Sequence, residues 1–275
     1  MGNSATTTLS SIYWLDGQLI HSATLHISID DPGLLYGATI FTTLRVYENS
    51  LKSSFTQWEA HCDRLKFSLT SFAWQTPNWA NVRAGAEALS NYFPVLRITL
   101  FPDGREFITG RSLPPDLPNQ QFSGITASIP SLEFTRSLPH HKTGNYLSSW
   151  LAKNEAKNLA AQEAILVNSQ GNWLETSTGN LWGWGQGDWF TPPITEGILP
   201  GVGRSRIIQH LNQQQIPVNQ HPWTPEIIAK IEALAYSNCV VEFIPIRQVI
   251  HPQGKLEYNP YHPCLEQIRG LFHHS

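Results

Sequence analysis

Lys142 is the first residue of this chain that could do chemistry. It lies in the segment Pro-His-His-Lys-Thr-Gly-Asn-Tyr at 139–146, on a polar turn just before a predicted helix. A lysine acts as a nucleophile or base when its amine is neutral near pH 7, and burial beside a cation favours that state. Lysines on polar turns are more often solvated surface groups, so this segment alone does not establish a site.

A carboxylate and a glycine-rich turn follow Lys142 along the chain. Glu175 ends a predicted strand in Leu-Glu-Thr-Ser-Thr-Gly-Asn-Leu at 174–181, although these small residues are also ordinary turn formers. The segment Leu-Pro-Gly-Val-Gly-Arg at 199–204 leads directly into a predicted helix. A helix N-terminus offers backbone N–H groups and the positive end of the helix dipole, so this turn could hold a phosphate.

Arg64 lies earlier, in His-Cys-Asp-Arg-Leu at 61–65 on a predicted helix. Its guanidinium could clamp a phosphate with two hydrogen bonds, or it could pair with Asp63 on the surface. Each of these segments is ambiguous alone, and only their joint order and spacing narrow the interpretation.

Together the segments resemble the fold-type IV pyridoxal-phosphate (PLP) enzymes, the class IV aminotransferase family. The resemblance covers almost the entire chain, through Phe41 and the segments at 14–17, 34–37, 61–65, 142–147, 175–180, 191–193, 199–204 and 238–245. It implies a two-domain fold of mixed α/β (α+β) class and an enzyme with PLP as its cofactor. It also implies a small-molecule substrate that carries amine and carboxylate groups.

The same resemblance implies roles for individual residues. Lys142 is expected to bind the cofactor covalently and to transfer protons, Glu175 to pair with the pyridine nitrogen, and Tyr146 to hydrogen-bond near the phenolic oxygen. A protonated pyridine ring is an electron sink, which is why the carboxylate is needed. The other expected cofactor-binding residues are Arg64, Thr178, Val202, Gly203, Asn238 and Cys239. Among them, Arg64 and the backbone N–H groups at 202 and 203 are expected to hold the phosphate.

Two of these positions depart from the pattern of the family. Many relatives have a hydroxyl residue where Gly203 stands, and a Thr or Ser where Cys239 stands. Each lost hydrogen bond to the phosphate costs about 1 kcal/mol or somewhat more. Ser205, Ser237 and Asn238 are the residues that could compensate.

The strand around Phe41 bears on which reaction is catalysed. The family divides between aminotransferases and aminodeoxychorismate lyase, which converts 4-amino-4-deoxychorismate to 4-aminobenzoate and pyruvate in folate biosynthesis. Branched-chain enzymes typically carry an acidic residue and Gly after the aromatic residue, and D-amino-acid enzymes carry Glu. The run Phe41-Thr42-Thr43 resembles the lyase, as does the spacing of Lys142 and Asn145. The two threonines also suit a pleated strand for purely structural reasons.

The sequence therefore favours the lyase, with Thr42 or Thr43 relaying a proton to the leaving group. The alternative is a class IV aminotransferase acting on a D-amino acid or a branched-chain L-amino acid. A cofactor-binding protein without catalysis is disfavoured, because both Lys142 and Glu175 are present. The amino group distinguishes the two reactions, since a transaminase leaves it on the cofactor and the lyase releases it with the product.

Arginines are the candidate substrate-binding residues, because the lyase substrate has two carboxylates. Arg97 lies within a predicted strand, flanked by apolar residues, and is expected to bind one carboxylate. Arg45 and Arg105 are secondary candidates. Arginines in such positions are more often surface groups.

The overall composition limits the partners of the chain. It has 275 residues and a net charge of −3, which gives no reason to expect nucleic acid or an acidic membrane as a partner. Three dispersed cysteines and the absence of a charged-then-apolar N-terminal segment favour a reducing, cytoplasmic location without a metal site. A homodimer is expected by analogy with related enzymes.

The elements that must position these residues suggest two domains. A smaller N-terminal α/β domain is expected at 1–111, a proline-rich linker at 112–121 and a larger PLP-binding domain at 122–275. The first domain includes a predicted helix at 56–73, whose apolar residues fall at three- and four-residue spacing, and predicted strands at 24–29, 40–47 and 95–101. Helices are predicted in the second domain at 145–160, 203–214, 225–231 and 260–271.

Overall fold

A computed structural model describes residues 12–131 and 134–272 of this chain. Helices and strands are interspersed along these residues, which confirms the prediction of a mixed α and β fold. The chain forms two compact units. The first comprises the described residues up to Leu113 together with Lys142–Asn145, and the second comprises the other described residues from Pro114 onward.

The first unit is an antiparallel sheet with helices packed on it. Its elements are β1 (Ile12–Leu15), β2 (Gln18–His21), α1 (Pro32–Tyr36), β3 (Ile40–Arg45), α2 (Trp58–Phe72), α3 (Trp79–Ser90), β4 (Val95–Leu100) and β5 (Glu106–Arg111). The strand order in the sheet is β2-β1-β5-β4-β3. β3 is therefore at one edge of this sheet.

The amphipathic helix predicted at 56–73 is α2. Trp58, Cys62, Leu65 and Leu69 lie on one face of α2 and are buried in the core of the unit, together with Leu44 of β3. Burying each large apolar side chain contributes about 1.5–3 kcal/mol. This packing places the residues at 61 and 64 of α2 next to β3.

One local prediction for this unit differs from the structure. Residues 24–29 form no strand, because β-propensity without a neighbouring strand to pair with does not make one. The segment that follows, Asp31-Pro32-Gly33, is the start of α1. The Asp31 carboxylate accepts a hydrogen bond from the N–H of Gly33, and Pro32 takes the first helical position, where a missing N–H costs nothing.

The second unit is built on a larger, mixed sheet. Its strands are β6 (Ile125–Ser128), β7 (Glu163–Val167), β8 (Trp173–Thr176), β9 (Asn180–Gly185), β10 (Asp188–Phe190), β11 (Val218–Asn219), β12 (Ala233–Asn238), β13 (Glu242–His251) and β14 (Gly254–Glu257). Its helices are α4 (Leu117–Ser123), α5 (Leu147–Asn158), α6 (Val202–Gln213), α7 (Pro225–Ile228) and α8 (Leu265–Arg269). Single 3-10 turns occupy Ile194–Glu196 and Gly270–Phe272.

The strands of this sheet close on themselves. The order is β11-β10-β9-β12-β13-β6-β7-β8, and β8 also pairs with β9 through Glu175 and Asn180. β6 runs parallel to both of its neighbours, and the other pairings within the closed ring are antiparallel. A core of Trp182, Trp189, Ile207 and Leu211 joins this sheet to α6.

Several boundaries in the second unit differ from the predictions. The helix predicted at 225–231 ends at Ile228, and the helix predicted at 260–271 begins at Leu265 and finishes as a 3-10 turn. Part of the segment expected to be a linker is helical, because Pro118 lies in the first turn of α4, where proline is tolerated. Among the described residues, no helix has the length and apolar character needed to cross a membrane.

Candidate active site

Backbone hydrogen bonds attach the Lys142 segment to the start of β3. The N–H of Phe41 donates to the carbonyl of Lys142 at 2.8 Å, and the N–H of Gly144 donates to the carbonyl of Thr39 at 2.7 Å. A Cβ at position 144 would lie 2.2 Å from Thr39 Oγ1, so only glycine permits this approach. Lys142 is therefore fixed by the backbone on either side of it.

Phe41, Thr43 and Arg97 lie on one face of the first sheet, beside Lys142. Residues 41 and 43 share a face because side chains alternate along a strand, and Thr43 is directly opposite Arg97 on β4. The Lys142 Nζ lies 4.7 Å from the centroid of the Phe41 ring, and the Arg97 Cζ lies 3.7 Å from the same centroid. A guanidinium and a lysine amine thus lie against one aromatic ring, on the sheet face that also carries Thr43.

Thr42 points to the opposite face of β3, which α2 covers. Its side chain is fully buried, with Oγ1 2.6 Å from Nδ1 of the equally buried His61. Arg64 donates a hydrogen bond to the same hydroxyl oxygen. Burial, reinforced by the nearby cations Arg64 and Lys142, lowers the pKa of His61 well below its usual value. His61 is therefore neutral at physiological pH.

The two secondary arginine candidates also lie in the first unit. Arg45 is on the same face of β3 as Phe41 and Thr43, and its guanidinium lies over the Tyr47 ring, 4.7 Å from its centroid. Arg105 forms ion pairs with Asp31 at 2.5 Å and with Asp103 at 2.6 Å. Arg97 is the best placed of the three candidates, because its guanidinium lies over the same Phe41 ring as the Lys142 amine.

In the second unit, Glu175 and Asn180 form hydrogen bonds with the segment that precedes α6. Both side chains are buried. The N–H of Leu199 donates to Glu175 Oε2 at 3.2 Å, and the carbonyl of Leu199 accepts from the Asn180 amide at 2.9 Å. A Cβ at Gly201 would lie 2.1 Å from Asn180 Oδ1, so the turn must be glycine there. The predicted carboxylate and the predicted glycine-rich turn are thus fixed to one another.

Arg136 is a polar neighbour of this carboxylate that the sequence did not reveal. Its Nε lies 3.8 Å from Glu175 Oε1, its Cζ lies 5.9 Å from the Tyr146 ring centroid, and it donates to the His141 carbonyl at 3.0 Å. The guanidinium thus places a positive charge beside the buried carboxylate. It also holds the peptide group that immediately precedes Lys142 in the chain.

Tyr146 and Thr178 are tied to a buried carboxylate, Glu163, that was also not predicted. The Tyr146 hydroxyl donates to the carbonyl of Ser177 at 2.5 Å, and burial raises the pKa of Tyr146 to about 12. The hydroxyls of Ser177 and Thr178 both donate to Glu163, and the Lys153 Nζ lies 3.3 Å from the same carboxylate. The turn that follows Glu175 is therefore held rigidly.

The N-terminus of α6 lies beside the turn between β12 and β13. Gly201 caps this helix without a side-chain hydrogen bond, and the first-turn N–H groups of Val202 and Gly203 have no partners within a helix. A Cβ at Gly203 would lie 3.5 Å from Asn238 C and 3.7 Å from Cys239 N. The structure thus brings together four of the residues predicted to bind the cofactor.

Two residues of this turn region could compensate for the missing hydroxyls. The Asn238 side chain already accepts from the N–H groups of Val240 and Val241 and donates to the Thr178 carbonyl. The buried Ser237 hydroxyl accepts from the Trp182 indole at 2.8 Å and keeps its own proton as a donor. The first-turn N–H groups of α6 are further donors in this region, because they have no partners within the helix.

The second unit has the donor set that PLP requires. Glu175 is a buried carboxylate suited to the pyridine nitrogen. The Tyr146 hydroxyl, expected near the ring oxygen, donates its one proton to the Ser177 carbonyl in this structure. α6 is a helix of 12 residues, and no side chain caps the N–H groups of its first turn. Such a helix N-terminus is suited to bind an anion. The residues present therefore fit the cofactor that the sequence resemblance implies.

Known proteins with similar sequences belong to the family that the sequence resembles. The family model for amino-transferase class IV matches residues 39–249 of this chain. The aminodeoxychorismate lyase of Vibrio harveyi is 22% identical over 276 residues, which cover 94% of this chain and 98% of the relative. The branched-chain-amino-acid aminotransferase of Escherichia coli K12 is 25% identical over 279 residues, covering 89% and 86% of the two chains.

A solved structure gives the same relationship at the level of the fold. The PLP-bound form of a hypothetical aminotransferase from Mycobacterium tuberculosis superposes with a TM-score of 0.79 at 16% sequence identity. The superposition covers 94% of this chain and 96% of the other. At this identity the match concerns the fold, and it agrees with the two-domain fold expected from the sequence.

Proposed function

This chain belongs to the class IV aminotransferases, a family of PLP-dependent enzymes, and we propose that it is a lyase that converts 4-amino-4-deoxychorismate to 4-aminobenzoate and pyruvate. The observation that supports the proposal most is the placement of Thr43 on the face of β3 where Phe41 contacts Lys142, directly opposite Arg97. Branched-chain and D-amino-acid enzymes typically carry acidic residues in this Thr42-Thr43 run, whereas a hydroxyl suits proton delivery to a departing enolpyruvyl group.

Lys142 is the proton-transferring base in this proposal. PLP, when bound, supplies the electron sink that stabilises negative charge on the substrate carbon. The Lys142 Nζ accepts the proton from C4 of the substrate, and the bond between C3 and the enolpyruvyl oxygen then breaks as the ring becomes aromatic. The Lys142 Nζ and the Arg97 guanidinium both lie against the Phe41 ring, so the proposed base and the proposed carboxylate-binding group share one neighbour.

Thr43 is the proposed proton relay, in preference to Thr42. The Thr42 hydroxyl is fully buried and already bonded to His61 and Arg64. Thr43 is half-buried on the face that carries Lys142 and can donate its proton to the leaving enolpyruvate, whose methylene carbon becomes the methyl group of pyruvate. Proton delivery by a positioned group typically contributes about 10²–10⁴-fold to a rate.

Arg97 is the proposed carboxylate-binding residue. Its side chain is exposed on an otherwise buried strand and is oriented by the Phe41 ring. A guanidinium binds a carboxylate with two parallel hydrogen bonds, which fixes the orientation of the substrate as well as its affinity. The substrate class is thus an amine with at least one carboxylate.

An aminotransferase acting on a branched-chain L-amino acid or a D-amino acid is the second candidate. The 25% identity to the branched-chain enzyme of E. coli K12 favours it. An apolar ring beside Lys142 would also suit an aliphatic side chain. The two candidates share Lys142, Glu175 and the phosphate site. They differ in the bond that is broken and in the fate of the amino group.

A homodimer is the proposed assembly. On α5, Ser149, Ala152 and Ala156 are buried, whereas Leu147, Trp150 and Leu151 are exposed. An exposed group of apolar side chains on one helix is typical of an interaction surface. A second copy of the chain is the partner that the homodimer of related enzymes suggests.

The function is tested by a coupled assay. The purified protein is mixed with chorismate, glutamine and an aminodeoxychorismate synthase, and 4-aminobenzoate is followed by its fluorescence. The lyase predicts product formation that depends on this protein and that Lys142→Ala abolishes. Bound PLP with no product, together with conversion of the cofactor to pyridoxamine phosphate by an amino acid, would establish the aminotransferase instead.

A further inference from the structure

A buried polar cluster lies on the face of β3 that α2 covers. Thr42 is between Ile40 and Leu44, and the side chains of all three are almost completely buried. The Thr42 hydroxyl lies 2.6 Å from His61 Nδ1 and accepts a hydrogen bond from Arg64. Polar groups are retained inside an apolar core only when hydrogen bonds offset their desolvation. The proposed reaction uses neither His61 nor Thr42.

The protons of this cluster can be assigned by counting donors and acceptors. Arg64 is always a donor, so the Thr42 oxygen must accept from it. If the Thr42 hydroxyl donates its own proton to His61 Nδ1, the neutral imidazole carries its proton on Nε2. That nitrogen is buried and has no hydrogen-bond partner among the described residues. This arrangement leaves one buried donor unsatisfied.

The opposite arrangement is less favourable. If Nδ1 of His61 were the donor, the Thr42 oxygen would accept twice, and its own proton would need another acceptor. None is found for it within the described part of the chain. The Nε2 lone pair would also be unsatisfied, so two buried groups would lack partners instead of one. The hydrogen bonds therefore run from Arg64 to Thr42 and from Thr42 to His61.

We propose that Thr42 and His61 are positioning residues that hold the guanidinium of Arg64 in one orientation for binding the phosphate of PLP. Arginine is a long side chain that loses considerable rotamer freedom when it is fixed. A hydroxyl anchored by a buried imidazole fixes one guanidinium nitrogen before the anion arrives. The inference concerns the cofactor, so it holds whether the enzyme is a lyase or an aminotransferase.

Cofactor retention is the first test. The holoenzymes are dialysed to equilibrium, and bound PLP is measured by its visible absorbance. Thr42→Val removes the hydroxyl at nearly constant volume, so we expect affinity for PLP to fall by about tenfold or more. Thr42→Ser keeps the hydroxyl and is expected to bind PLP within about twofold of the wild type. Equal affinity in the valine variant and the wild type would overturn the proposal.

Thr43→Val is the matched control. It makes the same chemical change one residue along β3, on the opposite face, and leaves the Arg64 cluster intact. We expect it to retain wild-type affinity for PLP while product formation falls. If it lost PLP as severely as Thr42→Val, the effect would belong to the strand and not to the cluster. Unchanged product formation would count against the proposed relay alone.

The tautomer of His61 supplies a readout that a general structural role would not change. In ¹⁵N-histidine-labelled holoenzyme, we expect the His61 signals of a neutral ring protonated on Nε2 with a hydrogen-bonded Nδ1. Thr42→Ser should preserve the Nδ1 shift and Thr42→Val should change it. A ring protonated on Nδ1 in the wild type would contradict the proposed direction of the hydrogen bonds.

A second pair of variants covers the case in which Thr42→Val fails to fold. His61→Asn places an amide oxygen close to the Nδ1 position and can still accept from Thr42, whereas His61→Leu cannot. We expect PLP affinity to be close to the wild type in the asparagine variant and about tenfold weaker in the leucine variant. Equal affinities in folded samples of both would overturn the positioning role.

Discussion

Side-chain alternation along β3 gives two adjacent threonines different surroundings. Thr42 faces α2, where His61 and Arg64 hold its hydroxyl in an apolar core. Thr43 faces the side of the sheet where Phe41 contacts both Lys142 and Arg97. A residue that orients a cation and a residue that can relay a proton therefore stand side by side in the chain.

Replacement of Arg97 tests substrate binding at the residue scale. We expect Arg97→Ala to lower kcat/KM for 4-amino-4-deoxychorismate by about 10–100-fold, because a hydrogen-bonded charge pair contributes about 1.5–3 kcal/mol. Steady-state kinetics in the coupled assay measure the change. Arg83→Ala, which removes an exposed arginine paired with Glu87 on α3, is the control. An unchanged kcat/KM in Arg97→Ala would exclude a role for this guanidinium.

The lowered pKa of His61 predicts how stability depends on pH. Above about pH 6.5, His61 is neutral in both the folded and the unfolded chain, so it contributes no pH dependence. Below this value the unfolded chain binds a proton that the folded chain does not, because burial disfavours the imidazolium. The free energy of unfolding should fall by up to about 1.4 kcal/mol per pH unit through this group.

Urea unfolding at pH 7.5 and at pH 5.5 measures this contribution. We expect the loss of stability on acidification to be smaller in His61→Asn than in the wild type. The same substitution at the exposed His221 should leave the loss unchanged. Identical losses in His61→Asn and the wild type would show that His61 is protonated equally in both states.

The residues proposed for the site were easier to predict from the sequence than the residues that support them. Lys142, Glu175 and Arg64 stand in motifs with characteristic spacing, and the structure gives each a buried or fixed neighbourhood. Arg136 and Glu163 lie in no motif. They reach the site through tertiary contacts with residues far along the chain, and such contacts leave no local pattern.

At the scale of elements, the Lys142 segment behaves as a short extension of the first sheet. Thr143 pairs with Ile40, and flanking hydrogen bonds join residues 142 and 144 to the same strand. A reactive lysine carried on paired backbone is more precisely placed than one on a free loop. The close approach at Gly144 is what makes this pairing possible.

Gly144→Ala should disrupt that pairing. The added Cβ would lie 2.2 Å from Thr39 Oγ1 and 2.8 Å from the carbonyl of Gly37, so the segment must shift. We expect a loss of about 1–3 kcal/mol in stability and a fall of about 10²-fold in kcat, because small displacements of a catalytic group have large effects. Gly270→Ala, where the Cβ meets open space, is the control. Wild-type turnover in Gly144→Ala would refute the requirement for close approach.

Helices and strands with a clear local sequence pattern were predicted correctly. Elements whose formation depends on contacts with other parts of the chain were not. α2 and α6 begin within two residues of their predicted positions, because the apolar stripe of α2 and the proline-glycine turn before α6 mark them. The strand expected at 24–29 is absent because it has no neighbour in the sheet order of the unit. The linker region contains the start of α4 because a proline can also open a helix.

At the scale of the whole molecule, the exposed apolar face of α5 predicts self-association. Trp150 is 58% exposed and Leu147 is 61% exposed, which is unfavourable unless another surface covers them. We expect Trp150→Glu to convert a dimer to a monomer in sedimentation-equilibrium experiments, because a buried carboxylate at an interface is strongly disfavoured. Glu substituted for the exposed Tyr92 on the first unit is the control. A wild-type protein that sediments as a monomer would contradict the proposed dimer.

The fate of the amino group tests the central claim most directly. The protein is mixed with 4-amino-4-deoxychorismate that carries ¹⁵N at the amino group, and nitrogen is traced by mass spectrometry after a single turnover. The lyase predicts ¹⁵N in 4-aminobenzoate, one equivalent of pyruvate and PLP unchanged. ¹⁵N in pyridoxamine phosphate, without 4-aminobenzoate, would contradict the lyase and identify the protein as an aminotransferase.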